Sequence, residues 1–302
     1  MAEFVLGCVQ LGLSYGAANR RGKPTHAAVL ELLGRAQAAG IRSFDVARVY
    51  GDAEERLGEA MSGAPVTIIT KLSPLTGLSE TDSPAKVVAA VDADVAHSRQ
   101  ALRRKRLDCF LLHRAAHRTA FGGAIWQRLR AYQADGVIGR LGVSVQSPLE
   151  AHAALADPAV VHIQLPFNLL DWRWRETLVR CAARPDLTVH VRSVFLQGLL
   201  AANDPSIWPA IENVDASAVV TEIGRLARDL DRESPADLCL AYVRAQTAIH
   251  GIVIGLETVE QLACNLALFA KPALTAAECD QVTARLPHLP EQLLNPALWP
   301  KR

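Results

Sequence analysis

Four side chains have the types and positions to move a proton: Asp45, Tyr50, Lys71 and His113. Asp45 closes the run from Ile41 to Val46, which reads as a short buried strand. Tyr50 follows in a loop, and a helical run begins at Ala53. Val66-Thr67-Ile68-Ile69-Thr70 is a β-branched strand that ends in Lys71, and Asp108-Cys109-Phe110-Leu111-Leu112 is another that ends in His113. A phenol has an ordinary pKa of about 10, too high for an efficient acid near neutrality. A nearby ammonium favours the phenolate, and a buried carboxylate keeps that ammonium charged. An imidazole at the same rim can orient a polarised oxygen by a hydrogen bond. Taken singly, each residue has an ordinary explanation: a capping aspartate, a packed tyrosine, a solvated strand-end lysine, a core-edge histidine. Delivery by three successive strands is the layout of a barrel active site.

The rest of the chain supplies the elements such a site needs. Val5 to Val9 is a first strand, and Gln10 to Gly16 is a glycine-punctuated loop. Thr25 is the expected N-cap of a helix that Gly40 ends. Helices are expected over Ala53–Met61, Pro84–Arg104 and Trp126–Ala134, the last stopped by Gly136. Strands five, six and seven are expected at Val137–Val143, Val160–Leu165 and Leu187–Val191. Ser147-Pro148-Leu149-Glu150 is a capping box, and Arg173–Ala183 is the helix after strand six. A loop from Ser193 to about Val214 precedes helices at Ala216–Leu230 and Pro235–Ala245. Gly251–Ile254 is strand eight, and Thr258-Val259-Glu260-Gln261 opens the final helix with a second capping box. Regular alternation with short connections predicts an α/β fold, a (β/α)8 TIM barrel, as a single domain over residues 1–302.

The segment FDVARVYGDAEERLG resembles the signature of the aldo-keto reductase family, and the similarity continues through GVSVQSP, IQLPFNLLD, VRSVFLQGLL and VIGLETVEQLACN. The opening LGCVQLGLSYGAANRRGKP is similar to bacterial, sugar-pathway-like members. The resemblance implies an NAD(P)H-dependent oxidoreductase that interconverts a carbonyl (aldehyde, ketone or lactol) and an alcohol. Its catalytic tetrad maps to Asp45, Tyr50, Lys71 and His113, with Tyr50 as proton donor. It further implies that Ser144 and Gln164 hold the nicotinamide carboxamide, with Val145 standing where the family has asparagine. Arg192 takes the place of an aromatic that stacks on the nicotinamide, a role open to its planar guanidinium. Ser193 through Gly198, including Phe195, would pass along the pyrophosphate, with Gly255 ending strand eight beside it. Glu257, Gln261 and Asn265 would meet the adenosine end.

The family's NADPH users carry a cation there, whereas residues 251–270 contain no lysine or arginine and Gln261 replaces the usual arginine. A carboxylate at Glu257 suits a ribose hydroxyl better than a phosphate, so NAD(H) is favoured over NADP(H). The alternative is that Glu257 complements a helix dipole and a basic group elsewhere meets the phosphate.

Composition excludes other classes. Lysine plus arginine (32) nearly cancels aspartate plus glutamate (31), so there is no basic surplus for nucleic acid or an anionic membrane. No apolar run is long enough to span a bilayer, and Met1-Ala2-Glu3-Phe4 lacks the basic start of a signal peptide. The six cysteines show no CxxC pairing, which fits a reduced, cytoplasmic protein, and His117 reads as a loop residue because no third metal ligand accompanies it and His113. The expected partner is a small carbonyl compound, which the resemblance of the opening segment extends to sugar-like ones, with Trp208 and Trp299 either lining its pocket or packing on the barrel. Two other readings compete: a nicotinamide-binding homologue without turnover, and a barrel lyase or isomerase using Lys71 as a Schiff-base nucleophile.

Overall fold

The computed structural model describes residues 2–300, so Met1, Lys301 and Arg302 of the expected domain and of the leader reading lie outside the described residues. The expected barrel is present. Strands β1 (Glu3–Gly7), β2 (Ser43–Asp45), β3 (Thr67–Leu72), β4 (Leu107–Leu112), β5 (Ile138–Ser144), β6 (His162–Pro166), β7 (Thr188–Arg192) and β8 (Gly251–Gly255) pair in parallel and in chain order, and β8 closes on β1.

Side chains alternate across the sheet with period two. Outward-facing residues such as Leu6, Phe44, Ile68, Phe110, Val143 and Val191 join the helices in the main apolar core. Val5, Ile69, Cys109 and Leu111 form a separate apolar cluster inside the barrel, with Val253 against it. The same alternation that turns Ile69 inward turns Lys71 inward two residues later, at the C-terminal rim.

Helices cover the outside: α1 (Val9–Gly12), α2 (His26–Ala38), α3 (Ala53–Ala60), α4 (Pro84–Ala101), α5 (Ala124–Ala134), α6 (Pro148–Leu155), α7 (Arg175–Ala182), α8 (Ala216–Asp229), α9 (Pro235–Arg244) and α10 (Val259–Ala270). Thr25, Ser147 and Thr258 cap their helices as expected, each hydroxyl accepting a backbone N–H three residues on. The reciprocal half of both capping boxes falls one residue earlier: Glu150 and Gln261 accept from Gln146 N and Glu257 N. Val9, expected to end the first strand, instead opens the single turn α1. Two further helices, α11 (Ala276–Arg285) and α12 (Glu291–Leu294), follow α10 outside the eightfold pattern.

Candidate active site

The three expected strand ends meet at one rim. Lys71 Nζ donates to Asp45 Oδ1 at 2.7 Å and to the Val46 carbonyl at 2.9 Å. Lys71 is 1% exposed and Asp45 4%, so the ion pair is screened from water. Gln164, across the barrel on β6, donates from Nε2 to Asp45 Oδ2 at 2.7 Å. Both carboxylate oxygens are therefore engaged. Burial works to lower the Lys71 pKa, but the Asp45 carboxylate, together with Tyr50, outweighs it and holds the ammonium above its ordinary value.

Tyr50 lies on this pair. Lys71 Nζ stands 5.2 Å from the centre of the Tyr50 ring, and the Tyr50 and His113 rings meet edge to face at 5.9 Å. The Tyr50 hydroxyl has no hydrogen-bond partner among the described residues and is not sealed from solvent. Lys71 thus acts on the phenol through its field rather than through a direct bond. Burial, then the positive charges of Lys71, Arg192 and Arg114, hold the His113 pKa down to about 3, so its imidazole is neutral at pH 7. Its Nδ1 is buried without a partner, and Nε2 is not among the sealed, unpartnered atoms.

Local folding explains the placement of Tyr50. Gly12, at the end of α1, packs so tightly on the Tyr50 loop that a Cβ there would lie 1.8 Å from the Tyr50 carbonyl oxygen. Gly51 adopts φ +61°, turning the chain from Tyr50 into α3, and Tyr50 N–H donates to the Ala47 carbonyl at 2.9 Å.

The other half of the rim carries the residues expected to meet a dinucleotide. Ser144 pairs with Gln164 in the sheet, and Arg192 with Pro166, so the ends of β5, β6 and β7 lie side by side. Ser144 and Gln164 are buried, and Gln164 Oε1 is a buried acceptor without a partner. That orphan faces the requirement a carboxamide N–H would meet, so these residues fit a nicotinamide group. Val145 turns its side chain into the core, while its N–H donates to the Gln164 carbonyl at 2.8 Å and its carbonyl accepts from Arg192 Nη2 at 3.1 Å. The loop after β7 holds Ser193, Leu196, Gln197 and Gly198 at positive φ, and Phe195 packs against the core. Glu257 and Gln261 bond reciprocally, Glu257 N–H to Oε1 at 2.7 Å and Gln261 Nε2 to Glu257 Oε2 at 3.3 Å. Asn265 Nδ2 turns back to the Gln261 carbonyl at 2.9 Å.

Three residues at the rim have no role in the sequence reading. Gln10 lies against Gly255, where a Cβ would come within 2.5 Å of its Oε1, and that oxygen is buried without a partner. Tyr15 accepts a hydrogen bond on its hydroxyl from Gln197 Nε2 at 3.3 Å, tying the loop after β1 to the loop after β7. The backbone at the start of α10 and the Thr258 hydroxyl hold the Glu260 carboxyl below its ordinary value, and the charge of Arg21, from the same loop after β1, adds a little to this. Gln10 lies in the single turn α1 and Tyr15 and Arg21 in the loop that follows, a stretch that composition marks only as irregular.

Trp208 is buried in the core, and Trp299 donates Nε1–H to the Leu293 carbonyl at 2.8 Å, so both tryptophans pack on the barrel. His117 is buried in a short turn, and no cluster of metal-ligating side chains is present among the described residues. No helix of the described residues is long and apolar enough to cross a membrane.

Known proteins share this fold and, over most of the chain, its sequence pattern. A model of the Aldo/keto reductase family matches residues 3–286. The uncharacterized oxidoreductase Rv2298 of Mycobacterium tuberculosis is 28% identical over 275 residues, 85% of this chain and 81% of the relative. The uncharacterized oxidoreductase YqkF of Bacillus subtilis is 25% identical over 293 residues, covering 92% and 90%. Among solved structures, the aldo-keto reductase AKR11C1 of Bacillus halodurans in its holo form superposes with a TM-score of 0.75 at 20% identity, covering 95% of this chain and 93% of that one. The glycerol dehydrogenase AKR11B4 of Gluconobacter oxydans gives 0.72 at 20%, with coverage of 95% and 93%. At that identity the two structures show a shared fold.

Proposed function

The chain belongs to the Aldo/keto reductase family and is an oxidoreductase; from that premise we propose that it reduces a small carbonyl compound to an alcohol, or runs the reverse reaction, with Tyr50 exchanging the proton. Nicotinamide supplies the hydride when bound. The chain's own residues supply position, field and proton. Tyr50 donates its hydroxyl proton to the carbonyl oxygen as that oxygen gains charge, and the charged Lys71 stabilises the phenolate that remains. Asp45, fixed from both sides, keeps Lys71 charged and in place. Neutral His113 donates from Nε2–H to the same oxygen, orienting it. The observation that carries this reading is the Asp45–Lys71 pair, buried and saturated, directly against a phenol whose hydroxyl is free.

Ser144, Gln164, Arg192 and the Ser193–Gly198 loop would hold the cofactor, with Gln164 Oε1 accepting from the carboxamide. Glu257, steadied by Gln261 at the start of α10, favours a ribose hydroxyl, and hence NADH. Arg21 supports a second reading, because it brings a cation to that helix from outside residues 251–270 and could meet a 2′-phosphate. Separate equilibrium titrations decide. Tighter NADH binding is expected; tighter NADPH binding, lost selectively in Arg21→Ala, would reverse the preference. A sugar-like hydroxyaldehyde or lactol is the substrate class suggested by the glycerol dehydrogenase neighbour.

Turnover of a carbonyl panel, followed by loss of reduced-cofactor absorbance, tests the reaction. Cofactor binding without any turnover would instead favour a non-catalytic homologue. The Schiff-base reading needs an accessible neutral amine, whereas Lys71 is 1% exposed and tied to a carboxylate.

A further inference from the structure

The longest run of cations in the sequence is Arg103-Arg104-Lys105-Arg106. It links α4 to β4, at the end of the barrel away from Tyr50. From there the six residues of β4, Leu107–Leu112, rise about 20 Å to His113. α4 closes in a turn that recurs in this fold. Arg104 N–H donates to the Arg99 carbonyl at 2.9 Å and Arg103 N–H to the Gln100 carbonyl at 3.1 Å, with Arg103 at φ +53°. α2 and α5 make the same turn with Gly40 at φ +91° and Gly136 at φ +73°, and α8 makes it with Asp231. Glycine takes a positive φ without penalty and aspartate tolerates it, whereas a long side chain is strained there. The backbone gains nothing from an arginine at this position, so whatever the position gains comes from the side chain.

The side chains around the turn border a cavity of about 360 Å³, lined by Ala96, Arg99, Gln100, Arg103, Arg104 and Lys105. Four of the six are cations, and none is an acid or an aromatic ring. Two of the cations are fixed by backbone carbonyls: Arg99 Nε donates to Lys105 at 2.9 Å, and Arg104 Nη2 donates to Met61 and Ala64 at 2.9 and 3.0 Å. Arg104 Nε remains a buried donor without a partner. Glu59 approaches Arg103 at 4.0 Å but stands closer to His26, at 3.2 Å. Lys105 is exposed and makes no side-chain hydrogen bond or ion pair among the described residues.

We propose that this cavity binds a small anion bearing two linked phosphate groups, at a site separate from the reaction centre, with Arg103 and Lys105 as the free cations beside the fixed Arg99 and Arg104. A phosphate group carries up to about two negative charges near neutrality, so four cations match two such groups. Guanidiniums present forked N–H donors that suit phosphate oxygens, and lysine adds a point charge. The volume is that of a small-molecule site, and the lining lacks the apolar wall that a neutral ligand of that size needs. A single turn of cations on a chain of balanced charge falls short of the extended basic surface that a nucleic acid requires.

Calorimetric titration of inorganic pyrophosphate into the protein saturated with nicotinamide cofactor tests the proposal, because bound cofactor keeps the probe out of the dinucleotide cleft. One-to-one binding is expected at low ionic strength, weakening with added salt. Arg103→Gly and Lys105→Gln should each weaken it by about tenfold or more, the size of a lost charge-assisted bond. Without ligand, Arg103→Gly should melt no lower than the parent protein, since glycine relieves the positive φ. If it melts lower, Lys105→Gln alone decides, because that side chain holds nothing in the fold. Tighter binding of ADP than of pyrophosphate would assign the phosphates to a nucleotide, and weaker binding to a compound without one; either result keeps the site. Absence of saturable binding, or binding that survives Lys105→Gln unchanged, overturns the inference. So does an RNA oligomer that binds at this turn where pyrophosphate does not.

Discussion

Asp45 is the residue whose loss should be most revealing in stability, because it neutralises an ammonium that water cannot reach. Asp45→Asn leaves Lys71 buried and unpaired, and breaking such a pair by removing one partner costs about 3–5 kcal/mol. Urea unfolding should show that loss; a change under about 1 kcal/mol would mean that Lys71 is not charged in the folded protein. His113 makes the opposite statement. Its pKa of about 3 keeps the ring neutral throughout the physiological range, so an NMR titration should find no His113 ionisation between about pH 5 and 8, the span in which an unperturbed histidine titrates. A midpoint near the ordinary value would remove the neutral donor from the proposed chemistry. These residues were legible because an ionisable side chain at the end of a β-branched run is conspicuous, and the intervals match a known signature. The Gln164–Asp45 bond was not legible: its partners are separated by 119 positions and meet only when β6 closes opposite β2. Gln10, Tyr15 and Arg21 escaped because their importance lies in where the turn and loop after β1 land, which local sequence does not encode.

At the scale of elements, the loop bearing Tyr50 is held from behind by α1. The clash a Cβ at Gly12 would make with the Tyr50 backbone must displace that loop, since a 1.8 Å approach cannot be absorbed. Gly12→Ala should therefore lower kcat/KM by about 100-fold, the size associated with small misplacements of catalytic groups. Activity alongside thermal unfolding would check it; full activity would show that the tight contact does not position Tyr50. Strand and helix types were legible from period and caps, and their bounds generally moved by only a few residues. The errors have physical causes. Val9 favours a strand by type, but the chain must turn over the barrel end immediately after Gly7, and tertiary closure overrides the preference. α11 carries a full capping box at Thr275 and Glu278, yet lies past the repeating pattern that organised the reading.

For the whole molecule, the barrel interior below the rim holds a buried histidine pair beside its apolar cluster. The His162 and His190 rings pack edge to face at 4.3 Å, each 2–3% exposed, with Cys109 Sγ 3.3 Å from His162 Nδ1. Burial is the main cause that depresses both pKa values, to about 4 for His190. Their ordinary value in the unfolded chain is about 6.5. Below that value the unfolded chain binds protons that the folded barrel refuses, so stability must fall as pH drops from about 6.5 towards 4. Two such histidines remove about 2–3 kcal/mol between pH 6 and 5. Urea midpoints at several pH values should show this slope, and His190→Gln should flatten it; a flat parent profile would contradict the assignment. Fold class was legible at this scale because eight strand–helix alternations admit few architectures. The histidine pair was not, since His162 and His190 each look like an isolated polar interruption until the barrel brings them together.

Proton delivery by Tyr50 is tested most directly by kcat/KM for Tyr50→Phe, measured with saturating cofactor on a carbonyl the parent protein reduces. Removing a positioned general acid should lower the value by about 10²–10⁴-fold while Lys71 and Asp45 remain paired and the variant still binds cofactor. A Tyr50→Phe protein that reduces the same carbonyl within about threefold of the parent would contradict the account, because the proton would then have to come from another group.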